Sequence, residues 1–272
     1  MRVPDRRLHR GFSLLDAVVV LLVIVVALGM SLVYGILNRP YVPRGKVLTC
    51  RIRVSQIHKG LTLFANDFNG SYPVPMDISP ETAAITTQSG NSSASFFSFM
   101  IFNTYYSPET VICLDEANSN IVSKSDYRYG IAGDPNWNQA WKWDPDFSAD
   151  ITGPGANVSY ATLAMIADRR RSQWRTSLDP NFAVAGDRGP GGGVWDARSQ
   201  TLRLHGKATE WTGNIAFNDG HVQQFTFTRR DESPFVINGD NLFRSDDTER
   251  GADIWLGLFG ATTETATTPF SD

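Results

Sequence analysis

The chain has 272 residues, with 25 Lys and Arg against 28 Asp and Glu for a formal net charge of −3, and 42% of it is hydrophobic. That length supports one or two domains with a real core, and the slightly acidic balance argues against nucleic-acid binding, which usually needs a basic excess. Two cysteines are too few for a disulfide framework and lack the spacing of a zinc site.

From Ala17 to Leu37 the sequence reads AVVVLLVIVVALGMSLVYGIL, without a charged residue. As a helix rising 1.5 Å per residue it measures roughly 31 Å, the depth of a bilayer core, and it is apolar on every face. The expectation is a single-pass helix in the cytoplasmic (inner) membrane. Arg2, Arg6, Arg7 and Arg10 precede it, with Asp5 as the only acid. Retained positive charge puts the N-terminus in the cytoplasm and the C-terminal domain in the periplasm or another extracytoplasmic space. A secretory signal would have an apolar stretch of about 7–15 residues followed by an Ala-x-Ala-like site, and this segment has neither. Asp16 stands out at the mouth of the span, because a carboxylate in lipid costs about 2.5–3.5 kcal/mol and needs a partner.

The run Arg10-Gly11-Phe12-Ser13-Leu14-Leu15-Asp16, followed by the apolar stretch, resembles the class III signal of type IV prepilins and type II secretion pseudopilins. The resemblance implies a basic leader, residues 1–11, removed by a prepilin peptidase that cuts between Gly11 and Phe12 and methylates Phe12. It makes Asp16 the assembly residue at mature position five, where the family usually carries Glu. In a packed bundle the Asp16 carboxylate would pair with the Phe12 ammonium of another subunit, and such a buried pair rewards correct register. The implied partners are the prepilin peptidase, other pilin-like subunits, an inner-membrane assembly platform and the lipid bilayer, with no nucleic acid.

After the apolar helix, taken as 12–37, the segment 38–45 holds Pro40, Pro43 and Gly45 and reads as a break. A second, amphipathic helix is expected over 46–70. Val47, Cys50, Val54, Ile57, Leu61, Phe64 and Phe68 recur at alternating spacings of three and four, an apolar stripe that should pack on a sheet. Asn69-Gly70 and Pro73 end it. The cysteine, amphipathic helix and Asn-Gly-x-Tyr-Pro exit extend the resemblance to pseudopilin-like proteins.

Residues 71–228 read as a β-rich domain. Within it, 79–95 reads as a surface loop, Ser95 to Tyr106 as a short helix, and Thr110 to Cys113 as a strand. Residues 134–150 gather Trp137, Trp141, Trp143, Asp134, Asp144, Asp146 and Asp150. Tryptophans among carboxylates suit sugars or calcium, so Asp144, Asp146 and Asp150 are weak calcium candidates, although the run lacks the full Asp-x-Asp-x-Asp-Gly loop. A solvated, aromatic-pinned loop explains them as well. No other cofactor is expected. Val158 to Ile166, Phe182 to Ala185 and Leu202 to Leu204 read as further strands. The glycine run after Asp187 and Arg188 lacks the Gly-Lys-Ser/Thr ending of a phosphate loop.

Asn214 to Phe227 is a hairpin signal, with apolar residues flanking the turn Asn218, Asp219, Gly220, His221. Asp-Gly favours a type I′ turn. The segment resembles the hairpin of the prepilin-associated His-x9-Asp-Gly family, but the histidine position falls on Thr209, and His205 lies earlier. His205, Asp219 and His221 forming a metal site is the sharper reading, and a turn with ordinary hydrogen bonds the plainer one. Residues 229–272 read as a C-terminal extension whose last dozen residues are disordered. Cys50 and Cys113 allow one candidate disulfide, with two packed free thiols as the other reading.

The fold class expected is α+β: a long N-terminal transmembrane and amphipathic helix packed on a mainly antiparallel β-sheet domain. No nucleophile–base or metalloprotease motif is present. The expected function is a non-enzymatic pilin-like subunit of a type II secretion or type IV pilus-like filament. The alternative is a membrane-anchored glycan- or calcium-binding module using 134–150.

Overall fold

The computed structural model describes residues 14–37, 44–78, 90–129, 143–246, 253–263 and 266–271. The chain divides into two units, Met1–Arg44 and Gly45–Asp272.

The first unit contains helix α1, Leu14–Leu37. Its described side chains, Leu14 and the run Ala17–Met30, are all exposed. Here the membrane expectation is corrected. Among the described residues, no helix is long and apolar enough to cross a membrane. The transmembrane element of the fold class, the single-pass placement in a cytoplasmic membrane and the extracytoplasmic placement of the rest all fall with that finding. The break at 38–45 lies mostly outside the described residues.

In the second unit, helix α2 spans Arg44–Asp67. Its apolar stripe faces the core: Cys50, Val54, Ile57, Leu61 and Phe64 are buried. Phe68 is half exposed and stacks on Phe64, ring centroids 4.1 Å apart. The helix stops where Asn69 and Gly70 adopt positive φ, 52° and 78°, and Gly70 N donates to Ala65 O at 2.9 Å. The helix that joins the sheet's core is therefore α2, while α1 belongs to the other unit.

Helix α3 is a single turn, Pro75–Ile78, and α4 runs over Ser93–Phe102. Helix α4 is buried along nearly its whole length, as a helix apolar on all sides must be. Ser92 caps it, its hydroxyl accepting from Ser95 N at 3.1 Å. Asn91 to Ser95, read as part of a surface loop, are buried because they feed this helix into the core; residues 79–89 lie outside the described residues.

Among the described residues eight strands follow: β1 Tyr160–Leu163, β2 Ala183–Asp187, β3 Glu210–Phe217, β4 Val222–Thr228, β5 Val236–Ile237, β6 Asp240–Asn241, β7 Leu256–Thr262 and β8 Thr267–Phe270. Six form an antiparallel sheet in the order β4-β3-β2-β1-β7-β8, while β5 and β6 pair separately. The inner strands β1 and β2 are buried at every residue, and the edge strand β4 keeps most of its residues at least partly open.

Two segments expected as strands are 3-10 turns. Pro108–Val111 begins with a proline, which cannot donate to a ladder but suits a first helical turn. Gln200–Arg203 is capped by Ser199, whose hydroxyl accepts from Thr201 N. The tail read as disordered supplies β8, with Thr267 opposite Thr262 and Phe270 opposite Leu258. Its β-branched threonines suit an edge strand. The extension 229–272 also supplies β7, which pairs with β1 inside the sheet.

Candidate functional site

Four segments of the second unit bring thiols, an imidazole and carboxylates together. The α2 stripe carries Cys50 inward, and the turn after Pro108–Val111 delivers Cys113 and Asp115. Strand β2 ends at Asp187, and the loop after Gln200–Arg203 presents His205. Cys50 Sγ and Cys113 Sγ stand 2.9 Å apart, both as free thiols. His205 Nε2 is 3.5 Å from Cys113 Sγ and 3.4 Å from Asp187 Oδ2. On the other side of the ring, His205 Nδ1 is 3.2 Å from Asp115 Oδ2, and Lys46 Nζ is 3.0 Å from Asp115 Oδ1.

Backbone and side-chain donors hold these groups. Leu114 N donates to Cys50 Sγ and Asp115 N to Cys113 Sγ, each at 3.4 Å. Asn214 on β3 donates to Asp187 Oδ2 from its backbone N at 2.7 Å and from Nδ2 at 2.9 Å. Asp187 Oδ1 is buried with no hydrogen-bond partner among the described residues.

Such crowding moves the ionisation of the two thiols and the imidazole. The hydrogen bond from Cys113 draws the Cys50 thiol down to about 5 against the opposing effect of burial, with His205 adding to the fall. The same hydrogen bond, with burial, pushes Cys113 up. Burial works against a charged His205, but hydrogen bonds to Asp187 and Cys50 outweigh it and raise the imidazole to about 10.

The expected hairpin forms between β3 and β4, but its turn differs from type I′. Phe217 N donates to His221 O and Gly220 N to Phe217 O, leaving a three-residue loop in which Gly220 alone has positive φ, 93°. Asn218 is withdrawn from the turn surface to serve as a clamp. Its Oδ1 accepts from Tyr72 Oη at 3.0 Å and Ser177 N at 3.1 Å, and its Nδ2 donates to the carbonyls of Gln173 and Arg175. Asp219 Oδ1 accepts from His221 N at 3.0 Å and stands 2.6 Å from its Nδ1, and the His221 ring stacks on Phe217. His205 sits instead with the cysteines, so His205, Asp219 and His221 do not converge.

The three calcium candidates are engaged in local structure. Asp144 is buried and accepts from Arg128 N and Asp146 N. Asp146 pairs with Arg128, and Asp150 accepts from Thr152 N and Oγ1. Trp143 is in the core, whereas Trp137 and Trp141 lie outside the described residues. Gly11 and Phe12 also lie outside them. Asp16 falls in the first turn of α1, its side chain outside the description.

The sequence does not single out Asp115 or Asp187, and the sharper of its two readings groups His205 with Asp219 and His221, which lie elsewhere. The available signal was thin: Asp115 lies two residues past a cysteine, and Asp187 closes an apolar strand that had no reason to end on a buried acid. A groove of about 800 Å³ elsewhere in this unit is lined by Phe64, Tyr72, Trp174 and three arginines and holds none of the cluster.

No family model, curated protein or solved structure matches this chain.

Proposed function

We propose that this chain is a non-enzymatic pilin-like subunit, of the type IV pilus or type II secretion kind. A prepilin peptidase cuts it after Gly11, and helix α1 then assembles it with other pilin-like subunits into a filament. The observation that supports this reading is the surface of α1. Val18, Val19, Val20, Leu21 and Leu22 are consecutive, all apolar, and each is about half exposed or more. Consecutive helical residues point in different directions, so no single flank can hide them. Apolar surface of that extent marks an interaction site. A central bundle of like helices buries every side at once.

The test is mass spectrometry of the mature N-terminus in cells with an active prepilin peptidase. A chain beginning at Phe12 is expected. Asp16→Ala should still be cut yet fail to assemble. A leader retained through Gly11, or normal filaments from Asp16→Ala, would overturn the reading.

A further inference from the structure

The globular unit carries a feature that filament assembly does not call for. Cys50, Cys113 and His205 each offer a ligand atom, all within 4.8 Å of one another, and Asp187 Oδ2 is 3.4 Å from His205 Nε2. We propose that Cys50, Cys113, His205 and Asp187 bind one divalent cation of the zinc class as a structural centre. It would tie α2, the turn after Pro108–Val111, the end of β2 and the loop before β3 into one knot.

The two edges at His205 fit a tetrahedral ion, while Asp187, outside the 4.8 Å group of the other three, would have to shift toward the sulfurs. With sulfur at about 2.3 Å and nitrogen or oxygen at about 2.0 Å from zinc, the S–N edge is about 3.5 Å and the N–O edge about 3.3 Å. Cys113 Sγ to His205 Nε2 is 3.5 Å, and His205 Nε2 to Asp187 Oδ2 is 3.4 Å. The Cys50–Cys113 edge, 2.9 Å, is the one that must open, since two thiolates on one zinc stand roughly 3.8 Å apart.

The surroundings are those of ligands. A metal-bound histidine usually gives its second ring nitrogen to a carboxylate, and His205 Nδ1 faces Asp115. Both sulfurs receive backbone N–H groups, which favour thiolates. Asn214 fixes Asp187 from one side and leaves Oδ1 buried and unpartnered. A Cys50–Cys113 disulfide would explain only the sulfurs. It would leave the fully buried Asp187 and His205 side chains against an apolar cystine. Thiolate and imidazole donors select zinc over calcium or magnesium.

The full chain, purified with zinc present and without chelator, should carry one zinc per molecule by elemental mass spectrometry. Stripping the metal should expose two titratable thiols and lower the melting temperature, and Zn²⁺ should restore both. Co²⁺ in its place should give the visible bands of a tetrahedral thiolate complex, a readout that needs no variant. Asp187→Asn and His205→Ala should lose the metal, while Asp219→Ala keeps it. Three results would each overturn the proposal: a metal-free chain lighter by two hydrogens, reduced chain that does not take up Zn²⁺, or Co²⁺ bound without sulfur bands.

Discussion

Arg188 and Glu116 form a two-pronged ion pair inside the protein, Nη1 to Oε2 at 2.6 Å and Nη2 to Oε1 at 2.8 Å, with side chains 3% and 7% exposed. Each neighbours a member of the buried cluster, Arg188 following Asp187 and Glu116 following Asp115. The pair locks the end of β2 to the turn that carries Cys113. Removing one partner of such a pair costs about 3–5 kcal/mol, because the other charge stays buried. Glu116→Gln should therefore lower unfolding stability by about 3 kcal/mol in urea melts. A loss below about 1 kcal/mol would show that the pair is replaceable by solvent.

Asn218 is the next sensitive position. Its amide joins Tyr72, Ser177 and the carbonyls of Gln173 and Arg175, so the hairpin, the α2 exit and the 173–177 segment meet at one side chain. Asn218→Asp removes two donors and sets an anion against two carbonyl oxygens. A loss of about 2–4 kcal/mol is expected by thermal melting, since each unsatisfied buried group costs about 1–3 kcal/mol. Asp219→Ala, one residue along on the surface, should stay within about 1 kcal/mol. Equal losses for the two would contradict the clamp.

The stability should also depend on pH through His58. Burial holds its imidazole below the ordinary value, against the raising effects of the Asn218 carbonyl and of Asp219. The edge of Tyr72 lies across it, with centroids 6.4 Å apart. The unfolded chain then takes a proton more readily than the folded one. Stability conferred by neutral His58 is complete above the unfolded value of about 6.5 and is lost as pH falls below it, by at most about 1.4 kcal/mol per pH unit. Melts between pH 7 and pH 5 should show this slope, and His58→Leu should flatten that part of it. An unchanged slope in the variant would assign the effect elsewhere.

A charge placed midway along α1 should separate assembly from folding. Ile24→Asp is expected to abolish pelleting of filaments while the β-sheet unit melts as before, because α1 belongs to a different unit. Filaments at wild-type yield would mean that α1 is not the packing surface.

The parts of the fold legible in the sequence are those with strong local periodicity. The three-four stripe of α2 appears as expected, and so does the β3–β4 hairpin, because each rests on side-chain alternation that nothing distant overrides. Thr110 to Cys113 misled because its apolar pattern suits a strand while Pro108 starts a helical turn just before it. The tail misled because polar composition says nothing about an edge already waiting in β7. The cluster was the hardest to see. Its members come from positions 50, 113, 187 and 205, and only the pairing of β2 with β1 and β3 in the sheet makes neighbours of residues so far apart in sequence. The expected spacing of a zinc site concerns ligands that a short loop holds together, and these are held by the sheet.

The position of β7 has a bearing on biosynthesis. It lies between β1 and β8, yet it is encoded almost a hundred residues downstream of β1. While a ribosome is still making the intervening segment, β1 presents a row of unsatisfied N–H and C=O groups, the kind of edge that recruits foreign strands. Native closure of this unit thus awaits synthesis through β7. A nascent product cut short before Leu256 would keep that edge bare and be a substrate for chaperones and proteases.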